Sequence, residues 1–165
     1  MTDVLEKPRQ GQLAYPGEIR RYVMGGNSTF TLVSRKTGER FTYKVKSATK
    51  DRDKFWSTGN QDKRTYFVSV LTGPSNDSDY RYLGLLKLHG DGHYDFVRTT
   101  KSPEPDAPSL KGFKWFWNLL EQGATVSPRI EFWHEGSCCI CGRKLTVPES
   151  VADGIGPECK GKVGL

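Results

Sequence analysis

Between Phe30 and Arg98 the chain repeatedly alternates apolar and polar positions with a period of two, the spacing of a half-buried β-strand. Phe30–Ser34 is a short strand, and Arg35–Gly38 reads as its turn, with Gly38 free to take a positive φ. Arg40–Lys46 alternates strictly. Phe41, Tyr43 and Val45 fall on one face, and Arg40, Thr42, Lys44 and Lys46 on the other. Thr65–Leu71, Tyr80–Leu88 and His93–Arg98 are rich in aromatic and β-branched residues and complete a set of five strands. Gly90-Asp91-Gly92 is a short hairpin signal between the last two. Pro103, Pro105 and Pro108 mark residues 102–109 as a linker. The period then changes: Leu110, Phe113, Trp117 and Leu120 recur every three or four residues. This predicts a helix over about 109–122, capped by Ser109 and ended by Gly123. Its aromatic residues suit the cover of a sheet better than a base-stacking platform. Ser127–Trp133 alternates again as a strand that leads into a cysteine cluster.

The expected fold class is α+β: an antiparallel five-stranded sheet or small barrel covered by one helix, with a C-terminal zinc-knuckle, treble-clef-like module. Residues 1–18, interrupted by Pro8, Gly11, Pro16 and Gly17, read as an irregular arm. Residues 19–126 form the β-rich domain, and 127–165 the zinc-binding module. The 165 residues are 35% hydrophobic and 27% charged, which suits a folded domain with a small appendage. The chain shows neither an apolar run of membrane-spanning length nor the apolar stretch of a signal peptide, so a cytoplasmic location and no membrane partner are expected.

Three of the four cysteines, Cys138, Cys139 and Cys141, lie within four positions. Such crowding suits metal ligation better than disulfides, which join Cα atoms ~4.4–6.8 Å apart in suitable directions. Cys138-x-x-Cys141-Gly142 has knuckle spacing, and Cys159 follows a Gly154–Pro157 turn suited to the start of a helix. A closed site needs a fourth ligand. His134, four residues before Cys138, is placed to supply it, with Cys139 as the rival. The expected cofactor is one structural Zn2+ on His134, Cys138, Cys141 and Cys159. A catalytic zinc would need an open position and a carboxylate base. Glu131, Glu135 and Glu158 do not stand at a deaminase-like spacing, so no enzyme activity is expected. His89 and His93, with Asp91 and Asp95, more simply decorate a hairpin turn. The loop Thr72–Asp79 lacks the lysine and helix of a phosphate-binding loop.

The stretch from His134 through Cys138-Cys-Ile-Cys141-Gly and Gly154-Ile-Gly156-Pro157-Glu to Cys159 resembles a small zinc-finger domain of unknown function. That domain is found at the C-termini of tailed-phage and actinobacterial proteins. The resemblance implies zinc and a phage or bacterial cytoplasm, and no reaction. The phrase from Phe67 through Gly73, Asn76 and Tyr80 to Gly84 is similar to what precedes this finger in some phage proteins.

Charge locates the candidate partner surface. Residues 1–66 carry 14 basic and 7 acidic side chains, against 6 and 7 in residues 67–128 and 5 and 5 in 129–165. The basic set Arg40, Lys44, Lys46, Lys50, Arg52, Lys54, Lys63 and Arg64 could neutralise phosphates, with Trp56 available to stack on a base. The expected function is therefore a zinc-stabilised nucleic-acid-binding accessory protein, phage-encoded, whose partner is nucleic acid, single-stranded in the barrel-like reading. The alternative is a protein-interaction or inhibitor module acting on a host enzyme or defence system.

Overall fold

The structure is a computed structural model that describes residues 12–47, 65–73, 79–88, 93–125 and 128–134. The strands are β1 (Gln12–Leu13), β2 (Asn27–Ser34), β3 (Arg40–Ser47), β4 (Tyr66–Leu71), β5 (Tyr80–Leu88), β6 (Tyr94–Val97) and β7 (Ile130–His134). The helices are α1 (Pro16–Val23) and α2 (Pro108–Glu121). The strands form one antiparallel sheet in the order β1-β7-β2-β3-β4-β5-β6.

This corrects the expected five-stranded sheet or small barrel. Among the described residues the sheet has seven strands and is open, and there are two helices rather than one. The meander β2 to β6 is as the alternation predicts. The difference lies on the far side of β2. There β7 pairs with it from Phe30↔His134 to Ser34↔Ile130, and β1 pairs with β7. The strand read as the start of a separate zinc module is thus interior to the sheet. Its alternation, with Ile130, Phe132 and His134 buried, supplies an apolar face in phase with Phe30 and Leu32.

Helix α1 begins inside the segment read as an irregular arm. Pro16 sits in its first turn, where a missing N–H costs nothing, and Ile19, Tyr22 and Val23 bury one side. Strand β2 starts three residues earlier than its apolar pattern suggests. Ser28 is fully buried, and its hydroxyl donates to the Val23 carbonyl at 3.0 Å, so a polar residue is tolerated in the core. Helix α2 opens on Pro108 with Ala107, not Ser109, at its N-cap, and no side chain caps it. Gly123 ends it at φ 72°, and Gly38 turns β2 into β3 at φ 75°.

Both helices pack on one face of the sheet. Phe113, Phe116 and Trp117 of α2 meet Phe30, Tyr43, Phe96 and Phe132 from four strands in one aromatic core. Gly84 opposes Val68 next to the irregularity at Val68/Ser69. A Cβ at Gly84 would lie 2.6 Å from the Val97 carbonyl oxygen and 2.9 Å from the Phe96 ring, so only glycine lets β5 and β6 approach this closely.

Candidate nucleic-acid interface and zinc ligands

The face of the sheet away from the helices carries the basic residues of β3. Tyr43 and Val45 point into the core, so Arg40, Thr42, Lys44 and Lys46 point the other way. Register extends this face across neighbouring strands. Lys46 lies opposite Phe67, Lys44 opposite Ser69, and Ser69 opposite Tyr82. Lys44 reaches across β4 and places its ammonium 4.2 Å from the centre of the Tyr80 ring, within cation–π range. Phe67 is 46% exposed, an unusual state for a large apolar ring in a central strand. On the β2 side, the Thr31 and Thr42 hydroxyls hydrogen-bond at 2.7 Å.

The acidic groups of this face lie toward its margins. Glu131 accepts from the Trp133 indole N–H at 2.9 Å and pairs with Arg35 at 3.4 Å; Asp95 stands opposite Lys87 in register. The centre is therefore cationic and aromatic. Arg40, Lys44 and Lys46 share one face of β3, as the alternation predicts. Lys50, Arg52, Lys54, Trp56, Lys63 and Arg64 lie outside the described residues. The sequence alone does not assign Phe67 and Tyr80 to this surface. The alternation of Thr65–Leu71 carries the signal for Phe67, but its place beside Lys46 depends on strand register.

Of the expected zinc ligands, His134 is described. It is the last residue of β7 and is 6% exposed on the helix-covered face. Its imidazole stacks on Tyr22 of α1 with ring centroids 5.2 Å apart. Cys138, Cys141 and Cys159, and the rival Cys139, lie outside the described residues. So do His89 and Asp91 of the second histidine cluster, whereas His93 and Asp95 are described. Among the described residues, no group of three or more His, Cys, Asp or Glu could hold a metal ion.

The match to known families falls on this tail. Residues 131–164 match a family of unknown function, DUF6011. The DUF6011 segment opens inside β7 and includes His134, Cys138, Cys141 and Cys159. Its first residues are thus part of the sheet, directly beside β2. No curated protein and no solved structure matches the chain. Among the described residues, no helix is long and apolar enough to cross a membrane.

One core group carries a strong electrostatic signature. The Tyr43 hydroxyl donates to the Ser109 carbonyl at 2.7 Å and joins β3 to the start of α2. Burial, reinforced by the Glu39 carboxylate, holds its ionisation well above the ordinary phenol range. A raised value in the folded state means that folding favours the neutral phenol. This stability is complete below the unfolded value of ~10 and is lost as pH rises above it. Denaturant titrations between pH 8 and pH 11 should therefore show the wild type weakening at the alkaline end. Tyr43→Phe should show less of that alkaline loss and a uniform cost of about 1 kcal/mol for the missing hydrogen bond. Parallel curves for the two proteins would refute this role for Tyr43.

Proposed function

We propose that this protein is a zinc-stabilised nucleic-acid-binding accessory protein that holds single strands on the sheet face opposite the two described helices. The observation that carries this reading is the grouping of Lys44 over the Tyr80 ring with Arg40, Lys46 and the exposed Phe67 on the same face. Cations neutralise phosphates without regard to sequence, and an exposed ring offers a stacking surface that every base can use. Among the described residues no helix lies over this face, and such a face suits a splayed single strand better than a duplex, whose bases are already stacked. The basic residues Lys50, Arg52, Lys54, Lys63 and Arg64, with Trp56, follow β3 in the chain, and the proposal includes them in the same interface. The activity is binding without turnover. Zinc on His134, Cys138, Cys141 and Cys159 would act as a structural staple for the tail. The resemblance of that tail to phage-protein fingers supports a phage-encoded protein acting in a bacterial cytoplasm.

The test is fluorescence anisotropy with a labelled single-stranded oligonucleotide across a salt series. Wild type should bind with strong salt dependence. The combined variant Lys44→Glu, Lys46→Glu, Lys54→Glu should bind ~100-fold more weakly at low salt. Its plot of log K against log salt should be shallower by about 2, at roughly 0.7 per lost phosphate contact on a single strand. Phe67→Ala should lower affinity several-fold without changing that slope. Two results would overturn the reading: unchanged binding by the charge-reversed variant, or recovery from host lysate of a nuclease-resistant protein partner with no nucleic acid.

A further inference from the structure

On the helix-covered side, a cavity of about 670 Å³ opens between α2, the β2–β3 turn and the start of β7. That volume is within the range of small-molecule sites, ~300–1,000 Å³. Its helix wall is one stripe of α2, Pro108, Gly112 and Trp115, spaced four and three residues apart. Opposite stand Phe41, Tyr43 and Ile130 of the sheet. The lining is thus largely apolar and rich in flat rings.

Two residues of the helix wall are poor choices for packing alone. Trp115 is 38% exposed on a helix whose other large aromatics are fully buried. Gly112 interrupts the helix interior, where glycine costs ~1 kcal/mol relative to alanine. A Cβ there would stand 3.4 Å from the Tyr43 hydroxyl, so the glycine leaves the wall flat and the cavity open.

The rim has a defined charge. Arg35, Lys36, Arg129 and the acidic Glu39 border the cavity; the Arg35 guanidinium is paired with Glu131, so Lys36 and Arg129 are the cations of the rim. The turn that bears Arg35 and Lys36 is held in place. The Gly38 N–H donates to the Ser34 carbonyl and the Ser34 N–H to the Glu39 carbonyl, both at 2.8 Å, and the Thr37 N–H donates to Ser34 Oγ at 3.2 Å. The Arg35 N–H donates to the Arg129 carbonyl at 3.0 Å, which ties the two basic segments together. The backbone that carries these cations is thus held in place above a pocket of rings, which lowers the ordering cost of binding.

We propose that this cavity binds a small aromatic anion, a planar ring that lies against Trp115 with its phosphate or carboxylate on the Lys36 and Arg129 side of the rim. The site is on the opposite side of the sheet from Arg40, Lys44 and Lys46, and it does not depend on the nucleic-acid reading.

Isothermal titration calorimetry on the full chain tests this with four probes: adenosine 5′-monophosphate, indole-3-acetate, adenosine and inorganic phosphate. The nucleotide, the aromatic acid or both should bind at least ~10-fold more tightly than adenosine or phosphate, since each of those lacks half of the recognised chemistry. Preference for the nucleotide identifies a phosphate ligand, and preference for indole-3-acetate a carboxylate one; either supports the site. Trp115→Ala and the double variant Lys36→Ala, Arg129→Ala should each weaken binding by ~10-fold or more, from loss of stacking and of charge-assisted contacts respectively. All three residues are exposed, so thermal melting of the unliganded variants should stay near wild type. Lys44→Glu, Lys46→Glu should bind the probe as wild type does. Absence of binding by both aromatic anions overturns the proposal. Phosphate binding as tightly as the nucleotide, retention of binding in Trp115→Ala, or its loss in the Lys44/Lys46 variant does so as well.

Discussion

Trp117→Ala should destabilise the fold by about 3–5 kcal/mol, the usual cost of deleting a large, fully buried aromatic side chain. Trp117 has no exposed surface and lies parallel to Phe113. It is also the centre of a polar clamp. Its indole N–H donates to the Tyr94 carbonyl at 2.7 Å, and the Tyr94 N–H donates to Glu121 at 2.8 Å. The other Glu121 oxygen accepts from Arg20 of α1 at 2.6 Å, and the Arg20 guanidinium lies 5.8 Å from the centre of the Trp117 ring. One residue thus joins α1, α2 and β6. The alanine variant opens a cavity and removes the ring on which that arrangement rests. Trp117→Phe keeps most of the apolar volume and loses the indole donor, so its cost should be intermediate. Urea titrations with circular dichroism measure both. Domains of this size are stable by only ~5–15 kcal/mol, so the alanine variant should be close to unfolding at 37 °C. A loss below about 1.5 kcal/mol would show that the clamp and the ring contribute little.

The same clamp shows where the sequence was informative. The α2 periodicity identified Leu110, Phe113, Trp117 and Leu120 as a core face, and all four are buried. The alternation of β3 separated Tyr43 and Val45 from Arg40, Lys44 and Lys46 correctly. These patterns are local: period 2 or 3.6 shows within a few residues. Two features escaped, for different reasons. Pairing of β7 with β2 joins His134 to Phe30 across most of the chain, and no local periodicity encodes a partner at that separation. The eight-residue α1 is too short to show a full amphipathic repeat, and its opening Pro16-Gly17 looks like a breaker until the proline is placed in the first turn. The candidate sites divide in the same way. The basic face was legible because one strand, β3, carries Arg40, Lys44 and Lys46. The approach of Phe67 to Lys46 and of Tyr80 to Lys44 was not, because it depends on two strand registers and on the irregularity at Val68/Ser69. The cavity between Trp115 and the β2–β3 turn exists only once α2 is laid on the sheet.

Removal of zinc is the second large effect expected. The proposed ligands draw metal-binding free energy into folding, and structural zinc in isolated fingers contributes about 10–16 kcal/mol at pH 7. Only part of that will appear as stability here, because the sheet has a core of its own. The coupling should nevertheless reach the sheet. His134 is paired with Phe30 and stacked on Tyr22, so a metal bound to its imidazole would anchor the end of β7 next to β2. Purified protein should contain one zinc per chain, and a strong chelator should lower the melting temperature. Because thiolates and neutral imidazole bind metal, zinc should leave as pH falls. Cys141→Ser should melt like the chelated wild type and be insensitive to chelator. Cys139→Ser should behave as wild type if Cys138 and Cys141 both bind. His134→Ala should fall below chelated wild type, because it loses a buried, stacked ring as well as a ligand. Substoichiometric zinc in wild type, together with identical melting with and without chelator, would remove the proposed ligand set and leave His134 as a core residue at the end of an interior strand.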